Sequence, residues 1–128
     1  MQSHAMDAPF FERPAHERVR AAAAWISANC ERPITIAQAA AVAAMSERNF
    51  LRHFTSTIGM PPSDYIAKSR IMRARRLLID TELSIKSVAR YSGFGSGEHL
   101  ARTFRRTLGQ SPSEYRRHAA TEKVAEAC

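Results

Sequence analysis

The chain has 128 residues, 45% of them hydrophobic, with 19 Lys/Arg against 12 Asp/Glu, a formal net charge of +7 and a pI near 10.2. This size and apolar content suit one domain or two small subdomains, exclude disorder beyond the ends, and pair with a basic excess that points to a polyanion. Cys30 and Cys128 form no CxxC or Cys/His spacing, and the apolar run AAAAWI at 21–26 is too short for a membrane span or a signal sequence, so neither a zinc site nor a membrane segment is expected.

In chain order, residues 1–13, opening MQSHAM, read as a disordered or vector-derived lead-in. Pro14 introduces a first helix from about 16 to 29, with Val19, Ala22, Ala23 and Ile26 on one face. Thr35 caps a short second helix to about Ala43, and Ser46 caps a third to about Ile58, where Gly59 stops it. Pro62 stands in the first turn of a long fourth helix that ends near Asp80. Ser84 opens a fifth helix to about Ser92, and Ser96 a sixth to about Leu108. Ser111-Pro112 opens a short seventh to about His118, which leaves 119–128 as a tail. No run alternates apolar and polar residues, so the predicted fold is all-α with about seven helices.

Part of this chain is written twice. SERNFLRHFTSTIGMPPSDY at 46–65 reappears as SGEHLARTFRRTLGQSPSEY at 96–115, and TIAQAA at 35–40 aligns with SIKSVA at 84–89. The offset grows from forty-nine to fifty because GFGS at 93–96 replaces AMS at 44–46. Two copies cannot make a solenoid, so a pair of helical units is expected. Each copy is a short helix, a tight turn and a Ser-capped longer helix, which is a helix-turn-helix pattern (35–58 and 84–108). The helix at 62–80 links them. Gly93 occupies the left-handed position of the second turn; Ala44 takes it in the first, at an expected strain of about 1–2 kcal/mol.

At 100° per residue from the capping serine, Phe50, Leu51, Phe54 and Ile58 share the predicted core face of the third helix, and Leu100, Ala101, Phe104 and Leu108 that of the sixth. Arg48, Asn49, Arg52 and Ser56 point away, as do Glu98, His99, Arg102 and Arg106. Such a face suits a DNA major groove: Arg pairs with guanine, Asn with adenine, and Glu accepts from cytosine. A solvated face is the competing reading, and Glu98 could serve the helix dipole alone. His99, and His53 at the edge of the face, stand between solvent and phosphate contact. Arg105 and Arg106 suit backbone phosphates. The stretch 46–118 holds fourteen Lys/Arg against six Asp/Glu, so all the positive excess lies there. Arg70, Arg73, Arg75 and Arg76 decorate the linking helix, and the sequence does not divide them between phosphates, solvent and acidic partners. A spacer of about 18 residues is about 27 Å long, enough with its connections to serve grooves about 34 Å apart.

A-x-x-x-x-M-S-x-x-x-F-x-R-x-F with G-x-x-P-x-x-Y, then R-I-x-x-A-x-x-L-L (70–78), S-I-x-x-V-A-x-x-S-G-F-G-S (84–96) and F-R-R-x-L-G-x-S-P-S-E-Y-R (104–116) are spaced as in a known group. From about 34 to 117 the chain resembles the DNA-binding domain of the AraC/XylS family of bacterial transcription regulators. ARYSGFGS and WISAN look most like members that join this module to a DJ-1/PfpI-like domain. The resemblance implies two helix-turn-helix subdomains whose recognition helices enter major grooves. Carried onto this chain, Arg48, Arg52, Glu98 and Arg102 become base-edge candidates; Asn49, His53, Ser96, Gly97, His99, Arg105 and Arg106 complete the DNA-binding set. It further implies double-stranded DNA and RNA polymerase as partners, an activator more than a repressor, and a separate sensing or dimerising domain. The present chain is then an excised, monomeric DNA-binding domain or a short stand-alone member, with cytoplasmic location, no cofactor and no catalytic centre. A basic module docking an acidic protein is the rival reading. An enzyme would need a nucleophile–base pair, a metal cluster or a phosphate loop, and GFGSG at 93–97 has neither a preceding strand nor a following Lys.

Overall fold

The computed structural model describes residues 9–127, with side chains through 122. Residues 1–8 of the expected lead-in and Cys128 lie outside the described part, and Phe10–Glu12 form a short 3-10 turn where disorder was expected. The helices are α1 (Ala15–Asn29), α2 (Ile36–Val42), α3 (Glu47–Ile58), α4 (Pro62–Asp80), α5 (Ile85–Tyr91), α6 (Gly97–Leu108) and α7 (Pro112–Ala127). No strand occurs among the described residues. One boundary differs from expectation. α7 continues nine residues past His118, because HAATEKVAEA contains good helix formers and neither Gly nor Pro to stop it.

The chain divides into two compact units. The first joins α1, α2, α3 and the start of α4, through residue 67. Its core gathers Val19, Ala22, Ala23 and Ile26 of α1, Ala39 and Ala40 of α2, Phe50 and Phe54 of α3, and Ile66. The four α1 residues are those the helical spacing selects. α2 starts with a reciprocal cap: Gln38 N–H donates to Thr35 Oγ1 (3.1 Å) while Thr35 N–H donates to the Gln38 side chain (2.9 Å).

The second unit takes in residues 30–32, the rest of α4 from 68, and α5 to α7. Ile71, Ala74 and Leu78 of α4 pack with Val88, Ala89, Phe94, Leu100 and Phe104. Arg116 of α7 closes this unit by donating to three carbonyls, Leu78 (3.0 Å) in the last turns of α4 and Leu83 (2.7 Å) and Thr81 (3.2 Å) in the α4–α5 connection.

The repeated G-x-x-P-x-x-Y words have one structural use in both units. Gly59 and Gly109 end α3 and α6, Pro62 and Pro112 begin the next helix, and the tyrosine returns to the core. Tyr65 meets Phe54 edge-on at 5.5 Å and Tyr115 meets Phe104 at 5.2 Å, with interplanar angles of 72° and 73°.

Candidate nucleic-acid interface

Both tight turns are built alike. Ala44 N–H donates to Ala41 O and Met45 N–H to Ala40 O, each at 3.0 Å; Gly93 and Phe94 repeat this with Arg90 O (3.4 Å) and Ala89 O (2.8 Å). These nested bonds are a Schellman ending, which requires a left-handed residue after the cap. Ala44 holds φ +57° and Gly93 φ +94°, as the sequence anticipates for both. The reasons for the two residues differ. A Cβ on Gly93 would stand 2.3 Å from Cys30 O and 2.8 Å from Arg70 Nε. At the first turn Arg18 instead caps the carbonyls, its Nε donating to Ala43 O (2.9 Å) and its Nη2 to Ala44 O. After each turn a serine starts the longer helix: Ser46 Oγ accepts from Asn49 N–H (3.3 Å) and Ser96 Oγ from His99 N–H (3.1 Å).

In the first unit this places Phe50 and Phe54 fully inside and leaves Arg48, Asn49, Arg52 and Ser56 exposed. Arg52 Nη2 donates to Asn49 Oδ1 at 3.2 Å, so two expected DNA contacts form one presented pair. His53 is half-buried, and its counterpart Thr103 is buried. The inner face therefore centres on the fourth, seventh and eighth positions after the serine. Leu51, at the fifth, is 43% exposed and does not join the core as expected. An apolar residue at the flank of an amphipathic stripe had pulled the expected axis toward itself.

In the second unit Leu100 and Phe104 are buried, and Glu98, His99, Arg102, Arg105 and Arg106 are exposed. Ser96 is exposed and Gly97 half-exposed at the start of α6. The His99 ring packs edge-on against Phe94 at 5.3 Å, which fixes its direction. Beside the start of α6 lies a groove of about 750 Å³ lined by Lys86, Ser87, Arg90, Ser96, Gly97 and Glu98 among others. Lys86 and Arg90 were missed in the sequence. They lie four apart on α5 and so share a face, but a seven-residue helix gives too short a pattern to orient. Arg90 also sits over the exposed Tyr91 ring, 5.4 Å from its centre. Backbone N–H groups at a helix start and two nearby cations are the chemistry of phosphate contact.

The structure also sorts the arginines of α4. Arg70 donates to Cys30 O (2.8 Å) and Arg32 O (3.0 Å), and Arg73 faces Glu31 at 3.6 Å. Arg75 donates to Tyr115 Oη (3.1 Å). Arg70 and Arg73 tie residues 30–32 to α4 and Arg75, itself exposed, reaches α7, while Arg76 is exposed as well. Among the described residues no group of His, Cys, Asp and Glu could hold a metal ion, and no helix is long and apolar enough to cross a membrane.

A family model described as a helix-turn-helix domain matches residues 39–118. Over 82 residues the chain is 39% identical to the HTH-type transcriptional regulator Rv1931c of Mycobacterium tuberculosis (strain ATCC 25618 / H37Rv), covering 64% of this chain and 32% of that protein. It is 36% identical over 84 residues to a putative AraC-like transcription regulator of Streptomyces lividans, covering 66% and 28%. The chain thus spans about a third of the length of these relatives. Among solved structures, the DNA-binding domain of the global transcriptional factor AdpA in complex with a target DNA superposes with a TM-score of 0.79 at 33% identity, covering 84% of this chain and 96% of that one. An AraC-type regulator from Chromobacterium violaceum gives 0.77 at 32% identity, covering 83% and 95%.

Proposed function

Because the chain belongs to the AraC-type helix-turn-helix family of transcription regulators, we propose that it binds double-stranded DNA sequence-specifically, with α3 and α6 each entering a major groove. The observation that carries this reading is the equivalence of Arg52 and Arg102. Both are exposed, six residues after a capping serine, on helices whose opposite faces bury an equivalent Phe. The cations supply salt-dependent affinity without regard to sequence. Arg48, the Asn49–Arg52 pair, Glu98 and Arg102 then meet base edges, where bidentate pairs discriminate by about 1–3 kcal/mol each. Ser96, Gly97, His99, Arg105, Arg106, Lys86 and Arg90 meet phosphates and fix the register, with His53 at the margin of the first contact. Tandem copies imply two neighbouring half-sites in direct repeat.

Mobility-shift titration on duplexes selected from a random pool tests this. A marked preference for selected over scrambled duplex, with heparin present at physiological salt, is expected; equal binding to both defeats it. The same reading makes the protein a cytoplasmic activator that engages RNA polymerase and, where a further domain accompanies this one, dimerises through it. A promoter fusion that stays silent when the regulator is expressed would overturn the activator role.

A further inference from the structure

Leu51 stands apart from the other large apolar residues of its helix. It is 43% exposed, while Phe50 and Phe54 on either side of it are fully buried and Ile58 packs against the first unit's core. Its neighbours along the exposed surface are Arg48 three residues before, Arg52 directly after and Thr55 four residues on, all exposed. Thr55 donates its hydroxyl to Leu51 O (2.8 Å), so that hydroxyl is occupied within the helix. The corresponding residue of α6 is Ala101, smaller and also apolar.

The part of Leu51 left in water among hydrogen-bonding side chains gains nothing for the free fold. It gains once that face is dehydrated against an apolar group, and the one apolar group on the floor of the major groove is the C5-methyl of thymine. Resting on the DNA-binding reading above, we propose that Leu51 is a specificity-determining residue that packs on a thymine methyl in the half-site read by α3. Arg52 beside it hydrogen-bonds an adjoining base, so this half-site is read by one polar and one apolar contact in sequence. Ala101 reaches less far and gives α6 a weaker version of the preference.

The test alters the duplex rather than the fold. In the selected site, the half assigned to α3 is the one whose base preference Arg52→Ala relaxes. Each of its thymines is replaced in turn by deoxyuridine, which removes the methyl and keeps every hydrogen-bonding group. One replacement is expected to weaken wild-type binding about threefold to fivefold, the worth of one buried methyl, and to leave Leu51→Ala unaffected. If no replacement weakens the wild type, or if the same one weakens Leu51→Ala equally, the assignment of Leu51 is overturned while the DNA-binding reading stands. If the wild type shows no preference for any selected duplex, both fall together.

Discussion

The outward positions of α2 are Ala37, Gln38 and Ala41; the same positions of α5 hold Lys86, Ser87 and Arg90. The contrast continues into the longer helices, where Thr55 and Ser56 of α3 correspond to Arg105 and Arg106 of α6. The first copy, 35–58, carries two Lys/Arg against one acid, and the second, 84–108, five against one. Both copies meanwhile have the Schellman turn, the serine cap and the Phe–Tyr edge contact. The two copies thus share what sets the helices in place and differ in the side chains they expose. On the proposed function, the second copy supplies most of the phosphate affinity and the first depends more on fit to the bases.

The turn residues offer the most forceful way to break this comparison. Gly93→Ala adds left-handed strain of about 1–2 kcal/mol and forces a methyl against a backbone carbonyl, a crowding that costs about 1–3 kcal/mol more. Ala44→Gly removes similar strain but frees the unfolded chain, which offsets about 0.4–1 kcal/mol of the gain. Urea unfolding of both variants measures the asymmetry. If Gly93→Ala loses no more than the strain alone, the close approach to Cys30 O is not rigid.

Base recognition comes next in size. Arg52→Ala and Arg102→Ala are each expected to cost about 1–3 kcal/mol on the selected site and to relax preference at one base pair. The two losses should fall in different half-sites. Since Asn49 already orients the Arg52 guanidinium, Asn49→Ala should recover part of the Arg52→Ala effect, and a double-mutant cycle will show coupling. In the second copy the position of Asn49 is taken by His99, whose ring packs on Phe94, so Arg102 and His99 should act independently of each other. An Arg102 variant with unchanged preference would end the base-edge assignment.

The charge difference yields a subtler measurement. Lys86→Ala with Arg90→Ala should lower the slope of log affinity against log salt by about 1.8, at 0.9 for each phosphate no longer neutralised. Arg105→Ala with Arg106→Ala should do likewise and weaken selected and scrambled duplexes alike. Placing Ala at Thr55 and Ser56 in the first copy should leave the slope unchanged. Equal slopes for all three pairs would remove the division of labour between the copies.

What the sequence disclosed depended on how local the cause was. The Ser46 and Ser96 caps, the left-handed Ala44 and the four buried residues of α1 follow from spacing along a few turns, and each was legible. Leu51 was misplaced because its flank position is decided by which neighbour helices press on α3, not by its own apolar character. Arg70 and Arg73 could not be divided between phosphates, solvent and acidic partners, and they hold loop carbonyls or Glu31 far along the chain. Those partners become visible only once the chain is folded. The groove beside Lys86 and Arg90 was hidden for the same reason, since it needs α5 and the start of α6 side by side.

The smallest effect separates the helices that follow each copy. α4 follows Pro61, which has no N–H to offer, whereas α7 begins with a reciprocal cap: Ser111 N–H donates to Glu114 Oε1 (2.7 Å) and Glu114 N–H to Ser111 Oγ (3.1 Å). The Ser111 backbone bond, helped by the Ser111 side chain, holds the Glu114 carboxyl below the usual glutamate range. A carboxyl whose pKa is lower folded than unfolded adds stability above its unfolded pKa and loses it as pH falls through the folded one. Glu114→Gln can keep the cap geometry without titrating. The stability difference between wild type and Glu114→Gln should therefore be constant near neutral pH and shrink on acidification through the carboxylate range. Thermal unfolding across that range measures it. A stability difference that stays constant on acidification would mean that the Glu114 carboxylate does not hold the cap at Ser111.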